Sequence, residues 1–231
     1  MLLEALRAEV LEANLELVRS GLVISTFGNA SGVSREEGLV AIKPSGVPYA
    51  KMSADDMVIT DLDGKVVEGK LRPSSDLATH VALYRAFPSI GGVVHTHSRH
   101  ATAWAQSGRE IPCFGTTHAD YFHGPIPFTA PLTPEEIDGE YEANTGTAII
   151  RRLDGRDPLH HPAVLVAGHA PFCWGKTVTS AAQYAIILEE VAAMALETVT
   201  INPAAKQISQ SLVNRHHFRK HGPGAYYGQA K

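Results

Sequence analysis

Apolar residues recur every three or four positions near the start of the chain. Leu3, Leu6, Val10, Leu11, Leu15 and Val18 share one helical face and Gly21 follows as a stop, so residues 2–20 are predicted to form an amphipathic helix. The pattern then shortens. Residues 22–26 and 39–42 are β-branched runs of strand length, and 58–61 and 65–68 flank Leu62-Asp63-Gly64, a hairpin signal. Residues 27–32 and 43–48, small and polar, read as loops. Helical spacing returns over 77–87, where Ser75 or Asp76 can cap the first turn. Gly91-Gly92 then opens a β-branched strand containing Val93, Val94 and Thr96, followed by a short helix over 98–108 and a proline-rich loop over 125–134. Residues 145–153 fit helix or strand equally. Residues 163–167 read as a buried strand running into a loop at 168–175, and a long helix follows from about 180 to 199, with Glu189 and Glu190 on its solvated face. With no repeat and no linker composition, residues 1–231 are expected to form one domain.

Composition narrows the functional classes. The 231 residues are 44% hydrophobic and 19% charged, enough to bury a sizeable core. A formal charge of −4 offers no basic excess to neutralise phosphate backbones, which argues against nucleic-acid binding but not against a small anionic substrate. Cys113 and Cys173 form no CxxC pair and read as buried thiols of a reducing compartment. The N-terminal segment carries acids throughout and lacks a cleavage site, and no apolar run is long enough to span a membrane, so a cytoplasmic protein is expected.

Candidate chemistry centres on His95 and His97. On a strand they project from one face, where two neutral imidazoles make half of a zinc-type site; the alternative is a pair of polar residues on the wet face of an edge strand. His169 at another strand end and Asp76 at a helix start complete three imidazoles and a carboxylate. Two lone cysteines cannot close a structural zinc shell, so a bound ion would be an open one, serving as a Lewis acid or activating water. Small-residue loops at Gly28-Asn29, Ser45-Gly46 and Ser74-Ser75 suit an anionic, phosphate-like group. The segment 113–122 is dense in polar groups, and the tail from Arg215 through Tyr226-Tyr227 is rich in histidine and tyrosine, unlike an ordinary frayed end.

Together these stretches resemble the class II aldolase/epimerase family. The matching segments are Gly28-Asn29-Ala30-Ser31, Lys43-Pro44-Ser45-Gly46, Pro73-Ser74-Ser75-Asp76, His95-Thr96-His97-Ser98-Arg99-His100, Gly115-Thr116-Thr117-His118-Ala119-Asp120-Tyr121, Gly139-Glu140-Tyr141-Glu142, His169-Ala170-Pro171-Phe172, and Lys220-His221 through Tyr226-Tyr227-Gly228-Gln229, in colinear order. The resemblance implies a three-layer α/β/α fold on a central, largely antiparallel sheet. It also implies a four-fold symmetric homotetramer with sites at subunit interfaces. One Zn2+ per subunit would be held by His95, His97 and His169, with Asp76 a further ligand or a close neighbour. Gly28, Asn29, Ser45, Gly46, Ser74 and Ser75 would hold the substrate, mostly at phosphate, while Asp120 and Tyr227 would be the acid/base pair, Tyr227 reaching in from a neighbouring subunit. His216 is a candidate helper.

The implied reaction is 4-epimerisation of a phosphorylated ketopentose, L-ribulose 5-phosphate to D-xylulose 5-phosphate, by retro-aldol cleavage between carbons 3 and 4. Arabinose and ascorbate or gulonate breakdown are both compatible contexts. The rival within the family is a sugar-phosphate aldolase, a lyase. Those enzymes carry glutamate after the paired serines, whereas Asp76 and the Tyr-Tyr-Gly-Gln tail favour the epimerase. A non-catalytic zinc module and a zinc hydrolase are the readings outside the family. Departures from the family pattern are Phe27 for tryptophan, Gly168 for serine and Ala170 for glycine, and none removes a ligand type.

Overall fold

The amphipathic start of the chain forms helix α1 (Glu4–Arg19), whose buried stripe of Val10, Ala13 and Leu17 lies against the sheet. The computed structural model describes residues 1–222 and 224–227. Strands β1 (Asn29–Ser34), β2 (Leu39–Ile42), β3 (Val58–Asp61) and β4 (Val66–Glu68) follow, then α2 (Leu77–Ala86), β5 (Gly92–His95) and α3 (Arg99–Gln106). Next come α4 (Thr116–Ala119), α5 (Pro134–Asp138), α6 (Tyr141–Arg152), β6 (Ala163–Leu165), β7 (Pro171–Gly175), α7 (Val178–Ile201) and α8 (Gln210–Lys220). The strands form one seven-stranded sheet in the order β4-β3-β2-β1-β5-β7-β6, antiparallel at every pairing.

Alternation along the strands divides the core into two faces. Val94, Ala41 and Cys173 join the cluster built with α1, α3 and α7, while their neighbours Val93, Val40 and Trp174 join Leu83 and Tyr84 of α2 and Ile149 of α6. This is the expected helix–sheet–helix sandwich. No helix among the described residues is long and apolar enough to cross a membrane.

Two strands lie where loops were expected, and one expected strand is absent. Asn29-Ala30-Ser31-Gly32 is part of central strand β1, between β2 and β5. Its small side chains read as loop-forming, but here they let helices approach: a Cβ on Gly32 would stand 2.5 Å from Val178 Cγ2 and 2.7 Å from Leu6 Cδ1. Segment 171–175 is strand β7, fully buried between β5 and β6, its Pro171 tolerated as the first residue. Residues 22–26 form no strand, and Ser25 takes a left-handed conformation at φ 58°. The ambiguous 145–153 stretch lies mostly in α6. Much of the histidine-rich tail is helical: α8 packs on α4 and buries His217.

Candidate active site

His95 is the last residue of β5, and His97 lies two residues on, in the three-residue link to α3. The strand ends at His95, so His97 lies in the link beyond it, yet the two rings meet on one side. His95 Nε2 and His97 Nε2 stand 3.1 Å apart. His169 joins them from the β6–β7 turn, closed by His169 N–H donating to Val166 O at 3.0 Å and Val166 N–H to Ala170 O at 3.1 Å. Gly168 sits there at φ +65°, a conformation that a serine would adopt only under strain. One ring nitrogen from each histidine falls within 4.8 Å of the others.

The donor chemistry fits a divalent metal. His95 Nδ1 donates to the Pro171 carbonyl at 2.9 Å, which leaves the Nε2 lone pair facing the trio. The ring also stacks on Phe172, centroids 4.2 Å apart. Burial lowers the His95 pKa to about 3, and burial likewise lowers His97 and His169, so all three imidazoles are neutral near pH 7. Asp76 lies beside the trio rather than within it. Its Oδ2 accepts from Asn29 Nδ2 at 2.6 Å. Burial opposes its ionisation, but His95, His80 and the Asn29 amide outweigh that and hold the carboxyl below the usual range.

The trio opens into a cavity of about 370 Å³, lined by Gly28, Asn29, Ser45, Gly46, Ser74, Ser75 and Asp76 as well as by His95, His97 and His169. The two serine loops are zipped together, Ser45 N–H donating to Arg72 O and Ser74 N–H to Lys43 O, both at 2.9 Å. Both loops, with the turn at Gly46 (φ +67°), line the one cavity. Gly28, at φ +85°, lies so close to β5 that a Cβ would meet His95 O at 3.0 Å.

Five further residues, Thr26, Phe27, Lys43, Tyr141 and Glu142, line the wall and had no role assigned from the sequence. Lys43 is 2% exposed, with Nζ 3.2 Å from Pro44 O and 4.7 Å from the Tyr49 ring centroid. Burial lowers its pKa, and it supplies a cation beside the serine loops. Phe27 packs 5.6 Å from the His97 ring, Tyr141 lies 6.3 Å from His169, and Glu142 is adjacent. The signal for Lys43 was its place before Pro44-Ser45-Gly46. Tyr141 and Glu142 open α6; the signal for them was their place in the Gly139-Glu140-Tyr141-Glu142 segment of the family resemblance, which carried no role.

Asp120 and Tyr227 are absent from that lining. Asp120, at the C-terminal end of α4 and 9% exposed, is gripped by α8. Arg219 donates through Nε to Oδ1 at 3.0 Å and through Nη2 to Oδ2 at 2.7 Å; His216 Nδ1 meets Oδ1 at 3.0 Å, and Lys220 Nζ lies 3.5 Å from Oδ2. Burial raises the Asp120 pKa, but Arg219, His216 and Lys220 outweigh it and the net direction is down. Tyr227 is 60% exposed, its ring 5.0 Å from the Arg219 guanidinium carbon and 4.4 Å from Lys220 Nζ. Its N–H donates to Arg219 O at 3.0 Å. Asp120 and Tyr227 thus share one pair of cations, away from the histidine trio of their own chain. Gly228 and Gln229 lie outside the described residues.

Comparison with known proteins adds names to this geometry. The profile described as Class II Aldolase and Adducin N-terminal domain matches residues 8–196. Two relatives, from Salmonella paratyphi B and Salmonella paratyphi C, each called L-ribulose-5-phosphate 4-epimerase UlaF, are 58% identical over 227 residues, 98% of this chain and all of theirs. Among solved structures, an L-fuculose 1-phosphate aldolase superposes with a TM-score of 0.79 at 24% identity, covering 93% of this chain and 95% of its own. The L-fuculose-1-phosphate aldolase of Thermus thermophilus superposes at 0.70 with 25% identity, covering 88% and 100%.

Proposed function

The chain belongs to the Class II Aldolase and Adducin N-terminal domain family, and on that premise we propose that it is a sugar-phosphate 4-epimerase, interconverting L-ribulose 5-phosphate and D-xylulose 5-phosphate. The observation that carries the proposal is the joining, in one cavity, of a neutral histidine trio to two zipped serine loops beside Lys43. Carbon 4 is not adjacent to the substrate carbonyl, so simple enolisation cannot invert it. Cleavage between carbons 3 and 4 can: the C4 hydroxyl loses its proton and the C3–C4 electron pair passes towards the carbonyl. The fragments are the enediolate of dihydroxyacetone and glycolaldehyde phosphate. The aldehyde turns its other face, the bond re-forms, and a proton returns to the new C4 oxygen.

The protein's part follows from placement. Ser45, Gly46, Ser74 and Ser75, with Lys43 nearby, hold the phosphate while the aldehyde rotates. Gly28 and Asn29 line the same wall, and Asn29 also orients Asp76. A divalent cation held by His95, His97 and His169, zinc in this proposal, supplies when bound the Lewis-acid charge that offsets the negative charge of cleavage. Inversion needs one proton acceptor and one donor on opposite faces of carbon 4, and Asp120 and Tyr227 take those roles. Because neither lines the cavity of its own chain, a neighbouring copy brings both, in a homotetramer with sites between subunits. His216 helps to hold Asp120. The two cysteines, both free, are consistent with a cytoplasmic setting.

Incubation with L-ribulose 5-phosphate and a divalent metal should yield D-xylulose 5-phosphate, with Tyr227→Phe much slower. Net release of dihydroxyacetone and glycolaldehyde phosphate as the main products would convert the proposal to a lyase.

A further inference from the structure

Glu189 was expected on the solvated face of α7, and it is not there. Its side chain is 14% exposed and reaches from the middle of that helix to the first turn of α3. Oε1 accepts from the His100 backbone N–H at 2.9 Å and lies 2.8 Å from His100 Nδ1, while Oε2 accepts from Ala101 N–H at 3.0 Å. Helix α3 otherwise starts uncapped: Ser98, at its N-cap, makes no side-chain capping bond. A carboxylate from another helix therefore satisfies amide donors that the local sequence leaves open, and sits at the positive end of the α3 dipole. Burial opposes its charge, but the Ala101 and His100 amides, with Ser98 and the His100 ring, lower its pKa overall.

What this anchor fixes is the link immediately before it. His95 is held by the sheet, by Phe172 and by the Pro171 carbonyl. His169 is set by its hairpin turn. His97 is held less firmly: it lies on the link between β5 and α3, its ring packs on Phe27 only at 5.6 Å, and among the described residues its Nδ1 makes no hydrogen bond like that of His95. We infer that Glu189 is the positioning residue for His97: by pinning the first turn of α3 to α7, it fixes the end of the Thr96-His97-Ser98 link and with it the imidazole facing His95. The inference rests on the reading of the trio as a metal site. Its carboxylate touches neither trio nor substrate cavity, so the effect passes through the backbone.

The test is titration of metal-free protein with Co2+, following the visible absorption band and competition with a chelator, on wild type, Glu189→Gln, Glu189→Ala and His100→Ala. Circular dichroism of the metal-free forms checks the fold. Glu189→Gln keeps the volume but places an amide among N–H donors, and should weaken Co2+ binding by about 10–100-fold, the usual cost of disturbing a ligand's outer support, with an altered band. Glu189→Ala should be at least as weak. His100→Ala removes only the ring contact of a partly exposed side chain, and should shift affinity in the same direction by less. Exposed Glu190→Gln should bind as wild type does. If the glutamate only stabilises the helix, folded Glu189 variants will bind Co2+ with wild-type affinity and spectrum, and the inference falls. Wild type binding no Co2+ would overturn the metal reading and the inference with it.

Discussion

The two halves of the proposed site are built in different ways. The metal half stands on the sheet: His95 ends a central strand, Asn29 pairs with it across β1, and His169 turns between β6 and β7. Its imidazoles are kept neutral by burial. The acid/base half stands on the periphery, where the end of α4, helix α8 and the tail gather Asp120, Arg219, Lys220 and an exposed Tyr227. There charge, rather than burial, decides: Arg219 and Lys220 keep the carboxylate ionised and pack beside the tyrosine ring. A sheet can hold ligand atoms to the tolerance that a metal demands, and a charged tail can be presented to another subunit. In the proposed mechanism, that separation within one chain makes assembly part of the chemistry.

Loss of a trio member should have the largest effect. His97→Asn should abolish metal binding and lower kcat by about 10³-fold or more, several kcal/mol of charge stabilisation being at stake, as checked by metal analysis and by the epimerisation assay. On the other half, Asp120→Asn or Tyr227→Phe should lower kcat by about 10²–10⁴-fold, the usual range for a general acid or base, while leaving Co2+ affinity unchanged. Loss of metal binding in either variant would collapse the distinction between the halves.

Arg219→Met should cost less, about tenfold in kcat through loss of orientation. Without the guanidinium, the Asp120 carboxyl rises towards its ordinary range, so the acid limb of the pH–rate profile should move to higher pH. An unmoved limb would mean that the clamp does not govern Asp120. A separate expectation concerns the stability of the metal-free chain and not its turnover. Burial lowers His80 and His118 to about 4 and His95 and His217 to about 3. Below the unfolded value near 6.5 the unfolded chain binds more protons, so these residues should lower the Tm as pH falls from about 6.5 to about 3 and contribute little slope above it. Thermal melts across that window check the sign.

Much of this arrangement was legible in the chain, and what was not has physical causes. Periodicity located α1, α2 and α7, and the β3–β4 hairpin announced its turn at Leu62-Asp63-Gly64. Strand β1 escaped because its small residues serve interlayer contact, a tertiary demand that reads locally as a loop. Strand β7 escaped because Pro171 and the preceding His169-Ala170 look like breakers, yet they form the turn and first residue of a buried strand. The three histidines, the serine loops and Asp76 were readable as metal- and anion-binding types, and the structure gathers them in one cavity. Glu189 was misread because a carboxylate in a helix is usually solvated, and only the packing of α3 on α7 puts it against amides. That Tyr227 stands apart from its own chain's trio is what the family resemblance implies; that Asp120 stands apart with it was not legible, since colinear motifs do not say which side of the molecule they occupy.

The most direct test of the central claim mixes subunits. His97→Asn protein retains the tail half and Tyr227→Phe protein retains the metal half; each alone should be nearly inactive. Co-refolded or co-expressed in equal amounts, they should recover about a quarter of wild-type activity, because random neighbours in a closed ring assemble that share of intact sites. Mixed assemblies, confirmed by differential tags, that stay as inactive as their parents would contradict the account and place both halves of the chemistry within one chain.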